Sequence, residues 1–184
     1  MIAKRAGVTL PVLQYYFDSK EGLYLACAEH IADRLETRFG PGMANIRAAL
    51  EKPRTSRRQL LQLLEEFFDR AVDFYLGEHE LEKWVLFIVR EQAQPTKAFD
   101  ILYDRMMQRT LLTCAEIVAR LMRKKATDPD VRIRTFALVG RMVFFRVARE
   151  TALRLLAWPD FDGDRLKLVK TSLRAQLHAA LRST

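Results

Sequence analysis

The chain has 184 residues, of which 49% are hydrophobic and 29% charged, and its formal net charge is +8. This length and balance predict a globular protein that buries a core without disulfides, and they exclude a disordered or fibrous chain. The two cysteines, Cys27 and Cys114, lack zinc-type spacing, no signal-peptide pattern occurs, and the longest apolar run, residues 84–89, is too short to cross a membrane. We therefore expect a cytoplasmic protein with no metal and no membrane segment.

The N-terminal segment predicts short helices separated by tight turns. A first helix ends at Ala6, because Gly7 can adopt the positive φ that terminates helices. Thr9 is a suitable N-cap for the next helix, in whose first turn Pro11 is tolerated, and Asp18-Ser19 is a suitable cap for the one after it. This pattern predicts a helix-turn-helix, although such helix pairs also occur in proteins that never bind DNA.

The rest of the chain has the apolar period of helices. Apolar stripes with this period run over residues 60–75 and over residues 99–121. The second stripe predicts one long helix. Asp128 predicts an N-cap for a helix that continues to about residue 157, and Asp162 predicts the cap of a last helix. The breakers that divide these segments are Gly7, Gly40-Pro41-Gly42, Pro53, Gly77, Pro95, Pro129, Pro159 and Gly163.

No segment has the alternating pattern of a strand, so the predicted fold class is all-α. We expect an N-terminal helix-turn-helix domain over residues 1–40 and a ligand-binding helical bundle over residues 41–184.

The segment from Ile2 to Leu23 resembles the DNA-binding signature of the TetR family. It contains an Ile-Ala-x-x-Ala-Gly-Val-Thr turn, a Leu-x-x-Tyr-Phe helix and a Ser-Lys-Glu cap. The resemblance implies a homodimeric transcriptional regulator that binds a palindromic operator in double-stranded DNA. The expected role is that of a repressor released by a small-molecule effector.

The resemblance also implies which residues contact DNA. Gln14 suits an adenine edge, Pro11 or Val12 suits a thymine methyl group, and Tyr16 and Lys20 match positions that contact phosphate. The full implied set is Thr9, Leu10, Pro11, Val12, Gln14, Tyr15, Tyr16 and Lys20.

The chain departs from the family pattern at its start. The family's opening helix has no counterpart here, so the domain over residues 1–40 is expected to be incomplete, either because Met1 lies downstream of the true start or because this is a shortened form. The alternative function is a helical ligand-binding or interaction protein that has lost DNA binding through truncation. The apolar residues that the missing helix is expected to cover are Val8, Leu13, Phe17, Leu23 and Leu25.

Segments 85–91, 99–103 and 143–150 resemble the effector domain of CecR-like members of the same family, which implies a pocket between helices for an unknown effector. Arg141, together with Arg146 and Arg149, interrupts an apolar helix, and these arginines either pair with acidic residues such as Glu150 or meet an anionic ligand. The predicted pocket residues are Phe67, Trp84, Tyr103, Met106, Met107, Phe144 and Arg141.

The resemblance further implies that the last two long helices form the dimer interface. Gly140 permits close approach there, and Val169, Leu173 and Leu177 lie on the predicted seam.

No catalytic residues are predicted. The serines lack a histidine and an acid in a recognisable motif, and His30, His79 and His178 form neither an HExxH nor a Glu-x-x-His pattern. We therefore expect neither an enzyme nor a bound cofactor.

Overall fold

The structure is a computed structural model that describes residues 2–52, 54–77 and 82–181, so Pro53 and His79 lie outside the described residues. Over these ranges the chain forms helices and turns without a strand, which confirms the predicted all-α fold. None of the described helices is long and apolar enough to span a membrane. The helices are α1 (Ile2–Ala6), α2 (Leu10–Phe17), α3 (Lys20–Glu51), α4 (Arg57–Val72), α5 (Glu82–Ala93), α6 (Lys97–Leu102), α7 (Gln108–Met122), α8 (Pro129–Val147), α9 (Arg149–Leu156) and α10 (Gly163–Ala180).

Helix α3 passes without a break through Gly40-Pro41-Gly42, so the prediction that these residues end a helix is wrong. Proline inside a helix removes one backbone hydrogen bond, and each glycine weakens the helix further. The apolar period nevertheless continues on both sides, with Ile31 and Leu35 buried before the proline and Ile46 and Leu50 buried after it. Burial of this stripe outweighs the local cost, and the helix crosses the predicted domain boundary between residues 40 and 41.

The two halves of α3 pack into different cores. The N-terminal core joins Ala28, Ile31, Ala32 and Leu35 to α5, α6 and the residue Phe74. The C-terminal core joins the second half of α3 to α4, α7, α8 and α10, and its α3 members are Met43, Ile46 and Leu50.

Helix α4 has the predicted buried stripe and begins with a capping box. The Ser56 hydroxyl accepts a hydrogen bond from the Gln59 amide, and the Gln59 side chain accepts one from the Ser56 amide. A π-helical turn, Asp73–Gly77, extends this helix. The predicted long helix from residue 99 is helical throughout, but a second π-helical turn, Tyr103–Met107, joins α6 to α7.

The C-terminal helices confirm one predicted cap and correct another. The Asp128 side chain accepts a hydrogen bond from the Asp130 amide and caps α8 as predicted. The helix expected to reach residue 157 is interrupted at Ala148, and the redirected α9 buries Leu153. Asp162 precedes α10, but its carboxylate binds the Arg165 guanidinium at 2.8 Å and caps no backbone amide.

The residues predicted for the dimer seam on α10 pack into the core of their own chain. Val169 and Leu177 are 4% and 2% exposed, and both belong to the C-terminal core. Leu173 is half-buried against the same core. The stripe that suggested an interface is the face by which α10 packs onto its own chain. Beside Gly140, the predicted residue on α8, there is open space, since an added Cβ would meet no atom within 4 Å.

Candidate nucleic-acid interface

The turn between α1 and α2 is closed by backbone hydrogen bonds that require glycine. Gly7 has a φ of +68°, a left-handed conformation that side chains other than glycine rarely adopt. The Val8 amide donates to the Ala3 carbonyl at 3.0 Å and the Gly7 amide donates to the Lys4 carbonyl at 3.4 Å, which satisfies the last carbonyls of α1. The predicted turn is confirmed.

Helix α2 starts and ends where the sequence predicts. Thr9 occupies the N-cap position with extended backbone, but its hydroxyl makes no capping hydrogen bond, and Pro11 lies in the first turn. After α2 the chain turns at Asp18, and the Ser19 hydroxyl accepts a hydrogen bond from the Gly22 amide at 2.9 Å to cap α3. Only Asp18 and Ser19 separate the end of α2 from the start of α3, so the two helices are joined by a short turn.

No residue of α2 is buried, so its side chains are presented to solvent. Leu13 and Phe17, one turn apart, are half-buried and form the inner side of the helix. Tyr15 and Tyr16 are 82% and 72% exposed, and their rings touch edge to face with centroids 5.4 Å apart. The full predicted contact set is exposed: Thr9, Leu10, Pro11, Val12, Gln14, Tyr15, Tyr16 and Lys20.

The structure divides this contact set between two sides of α2. Leu10, Gln14 and Lys20 line an open groove of about 410 Å³ between α1, α2 and the start of α3, with Leu13 and Leu23 at its base. Helical geometry places Pro11, Val12, Tyr15 and Tyr16 around the outward side of α2. The outward residues therefore form the most accessible surface for a duplex, and Gln14 lies beside the groove.

Basic side chains that the contact set omitted accompany this surface. Lys4 and Arg5 are exposed on α1, and Lys20 is exposed at the start of α3. Asp18 is the one acidic side chain between residues 2 and 20, so this segment is locally positive although residues 1–40 as a whole are nearly balanced. Restricting the charge count to the helix-turn-helix itself would have identified Lys4 and Arg5 from the sequence.

A buried polar contact fixes the start of α3 to the bundle. The Tyr24 hydroxyl donates to Glu91 Oε1 at 2.6 Å, and the Thr96 hydroxyl and amide donate to Glu91 Oε2 at 2.8 and 3.1 Å. Glu91 is 1% exposed. Burial opposes its ionisation, but the hydrogen bonds from Tyr24 and Thr96 outweigh burial and hold the pKa of Glu91 below its usual value. Burial and the bond to Glu91 raise the pKa of Tyr24.

Ion pairs at the surface continue this attachment along α3. Glu21 pairs with Lys97 at 3.0 Å, and Arg105 pairs with Asp33 at 2.6 Å and with Glu36 at 3.3 Å. The side chains are substantially exposed, so each pair contributes little to stability. Together with Glu91 they join the helix-turn-helix end of α3 to α5, α6 and the second π-helical turn.

The structure does not bring the predicted ligand-pocket residues together. Phe67 lies in the C-terminal core, whereas Trp84, Met106 and Met107 pack against the N-terminal core. Tyr103 is exposed on the second π-helical turn, and Phe144 is 68% exposed on the outer face of α8. Arg141 faces a small cavity between α4, α8 and α10. The structure therefore places the members of this set at separate locations.

The arginines of α8 and α9 also have different surroundings. Arg149 pairs with Asp160, and its Nη1 lies 3.5 Å from Glu150, which is one of the predicted alternatives. Arg146 is buried. Among the residues that the structure describes, no cluster of three or more His, Cys, Asp or Glu side chains suits a metal ion.

An all-α chain that carries an exposed helix-turn-helix ahead of a helical bundle has the architecture of a helix-turn-helix transcriptional regulator. Residues 60–183 match the family described as HTH-type transcriptional dual regulator CecR, C-terminal domain, and residues 1–27 match the family described as Bacterial regulatory proteins, tetR family. The chain belongs to the TetR family and, within it, to the CecR-like type. It is accordingly a DNA-binding transcription regulator.

Curated relatives agree with this assignment. The chain is 28% identical over 180 residues to the HTH-type transcriptional dual regulator CecR of Shigella flexneri, a match that covers 98% of this chain and 80% of that protein. A shorter match of 68 residues is 40% identical to the HTH-type transcriptional activator FasR of Mycolicibacterium smegmatis and covers 37% of this chain and 28% of FasR.

Proposed function

We propose that this chain is a cytoplasmic, homodimeric repressor that binds a palindromic operator through α2 and releases it when a small molecule binds the helical bundle. The main support is the exposure of α2, which buries none of its residues and is separated from the long α3 by two residues. A helix presented in this way fits the major groove of B-DNA. Selection of bound sequences from a random DNA pool tests the proposal, and enrichment of an inverted repeat is the expected result.

Some residues would position the protein on the phosphate backbone of the DNA, and others would read its bases. Tyr16 and Lys20, with Lys4 and Arg5 beside them, supply hydroxyl and cationic groups that suit phosphate. Pro11 and Val12 offer apolar contacts for thymine methyl groups, and Gln14 offers an amide for an adenine edge. Each good base contact is worth about 1–3 kcal/mol of discrimination, so a few in each half-site give operator specificity in a dimer.

Homodimerisation is supported by an unpartnered apolar stripe on α8. Ile133, Phe136 and Phe144 are 67%, 70% and 68% exposed, and Val147 continues the same face one turn later. At the centre of this stripe, a Cβ on Gly140 would meet no atom within 4 Å. Monomeric proteins rarely expose contiguous apolar patches, and aromatic residues are enriched at protein interfaces.

Helix α10 can complete this interface through its outer side. Leu168 is exposed there, and small or polar residues follow it at helical spacing in Ser172, Ala175 and Ala179. A second copy of the chain related by a two-fold axis would place the same stripes of α8 and α10 against each other. This interface uses the two helices expected from the sequence, α8 and α10, but α10 contributes the face opposite to the predicted seam.

Effector response would act through α3, because α3 joins the two cores. The Gly40-Pro41-Gly42 segment lies where the helix leaves the N-terminal core and enters the C-terminal core. Proline inside a helix is a common site of bending. The Tyr24–Glu91 contact makes α5 and α6 part of the same body as the helix-turn-helix end of α3.

We call the Gly40-Pro41-Gly42 segment the joint of α3. An effector that favours one bend angle at this joint would change the separation of the two α2 helices in the dimer. Half-sites lie about one helical turn of DNA apart, so a modest rotation removes the fit. The effector must bind the two bend angles of α3 with different affinity. A coupling free energy of about 1–3 kcal/mol lowers the affinity for the operator by about 5- to 150-fold.

The alternative is a helical ligand-binding or interaction protein without DNA binding. The open groove beside α2, with Leu13 and Leu23 half-buried at its base, favours this alternative. A helix that closes the groove is expected from the family resemblance alone. Absence of any enriched sequence in the selection experiment, with an intact dimer, would favour this alternative.

A further inference from the structure

A small cavity lies between α4, α8 and α10, away from the helix-turn-helix. Its volume is about 20 Å³, and its walls include the apolar side chains Phe68, Leu138, Met142 and Leu177. A cavity needs roughly 10–15 Å³ to hold a water molecule, so this one has room for a species of about that size and no room for an organic molecule.

The charged residues around this cavity are mostly paired. The Arg174 guanidinium binds both carboxylate oxygens of Asp69, through Nε at 2.9 Å and through Nη2. Lys170 Nζ lies 2.6 Å from Asp73 Oδ1. Each of these cations therefore has a carboxylate partner, and Asp69 is the carboxylate that lines the cavity.

Arg141 is the exception among these cations. Its Nη1 is buried and has no hydrogen-bond partner among the described residues. A guanidinium cannot lose its charge in a protein, so it cannot avoid the cost of burial by deprotonation. A buried donor without an acceptor costs about 1–3 kcal/mol, and more when the donor is charged.

Two species of suitable size can supply the missing acceptor, a water molecule or a monatomic anion. Water accepts the hydrogen bond but brings no negative charge to the half-buried Arg141. An anion accepts the bond and also neutralises the charge of Arg141, whereas the charges of Lys170 and Arg174 are already compensated by Asp73 and Asp69. The apolar walls lower the local dielectric constant and strengthen this attraction.

We propose that this cavity binds one small monovalent anion of the size of chloride, which accepts a hydrogen bond from Arg141 Nη1. The anion would tie α8 to α4 and α10. Since α8 and α10 carry the proposed dimer face, occupancy would stabilise that face as well as the fold. The inference does not depend on DNA binding, so it can fail while the proposed regulator stands.

Thermal unfolding of the full chain at constant ionic strength tests the site. Sodium gluconate is replaced stepwise by sodium chloride, because gluconate is too large for the cavity. Above the dissociation constant, each tenfold increase in free chloride is expected to raise Tm by about 3–5 °C. Bromide should act similarly.

Matched variants separate specific binding from a general salt effect. Arg141→Met removes the charge at similar length and should abolish the chloride dependence. Arg132→Met removes an exposed arginine from the same helix and should retain it. An equal chloride response in Arg141→Met and in the unchanged chain would overturn the site.

Crystals grown in sodium bromide give a test that needs no substitution. An anomalous peak within hydrogen-bond distance of Arg141 Nη1 is expected, and a water molecule at that position would overturn the proposal. Sodium acetate is a further control, because acetate is an organic anion larger than the cavity. Stabilisation by acetate without stabilisation by chloride would also overturn the halide site.

Discussion

Tyr24 on α3 and Glu91 on α5 are joined by a hydrogen bond of 2.6 Å between the phenol and a carboxylate that is almost completely buried. The other Glu91 oxygen accepts two hydrogen bonds from Thr96 at the start of α6. The two residues are 67 positions apart in the sequence, and Tyr24 lies one turn from the start of α3. It is therefore a polar connection between the helix-turn-helix end of α3 and a buried carboxylate of the bundle.

Glu91→Gln should weaken this connection and destabilise the N-terminal core. The amide keeps the shape of the side chain, but it replaces charged acceptors by one neutral acceptor, which is expected to lower the free energy of unfolding by about 1–3 kcal/mol. Denaturant unfolding followed by circular dichroism measures the change. Glu116→Gln, at an exposed position on α7, is the control and should change stability little.

The same carboxylate gives the stability a pH dependence. Because the pKa of Glu91 is lower in the folded chain than its ordinary value of 4.5, its contribution is present above pH 4.5 and is lost as pH falls through the folded pKa. Unfolding measured from pH 6 downward should therefore show an acid loss of stability that is smaller in Glu91→Gln. Identical acid profiles for both proteins would contradict this role.

Substitutions on α2 should separate positioning from base reading. Tyr16→Ala and Lys20→Ala are expected to weaken binding evenly across sequences, and Lys20→Ala should also reduce the salt dependence, because one phosphate contact is lost. Gln14→Ala should relax base preference without a uniform loss. Selection from a random pool measures both effects, with Lys125→Ala as the control for an exposed lysine outside α2.

Gln14 is the residue for which this experiment is most decisive. If the preferred sequence is unchanged in Gln14→Ala, its side chain serves the groove beside α2, and base reading falls to the outward residues Pro11, Val12 and Tyr15.

The proposed dimer should dissociate when charge enters the outer face of α8. Phe144→Glu removes an exposed aromatic side chain and is expected to give a folded monomer in sedimentation at micromolar concentration. Leu173→Glu should instead lower the free energy of unfolding, because Leu173 packs against the C-terminal core. Leu112→Glu makes the same exchange at an exposed apolar residue on α7 and should remain dimeric. A folded Phe144→Glu dimer would place the interface elsewhere.

The joint in α3 should stiffen when Gly40, Pro41 and Gly42 are all replaced by alanine. Each glycine replacement is expected to stabilise the helix by about 0.5–1 kcal/mol. Space permits it, since a Cβ on Gly40 meets no atom within 4 Å and one on Gly42 meets only the end of the Arg70 side chain, at 3.3 Å. The variant should be more stable and should respond less to any effector.

Spin labels can measure this joint directly. Cys27 is exposed and can be labelled, whereas Cys114 is buried and burial raises its pKa to about 12, so it should stay unreacted. Paired with a label at Gln62→Cys on α4, Cys27 should give a distance distribution that narrows in the alanine variant. Paired with Asp100→Cys on α6, it should give a narrow distribution in both proteins. Equal widths for the α4 pair would argue against a joint.

Local features of this chain could be read from the sequence because their causes lie within a few residues. The left-handed Gly7, the Ser19 cap and the Asp128 cap each depend on hydrogen bonds to backbone atoms at most five positions away. The family resemblance selected residues of α2 that are all exposed, but it did not separate Leu10 and Gln14, which line the groove, from the outward residues.

Features that depend on two distant segments were decided by the tertiary structure. The α10 stripe around Val169 and Leu177 has the period of a buried face, but the period does not tell whether its partner is α4 of the same chain or a second copy. Gly40-Pro41-Gly42 reads as a helix end, and only the burial of α3 residues in two cores keeps the helix continuous. Likewise, neither the Tyr24–Glu91 bond nor the solitary Arg141 beside its cavity can be inferred from spacing, because packing between distant helices determines which charges are paired.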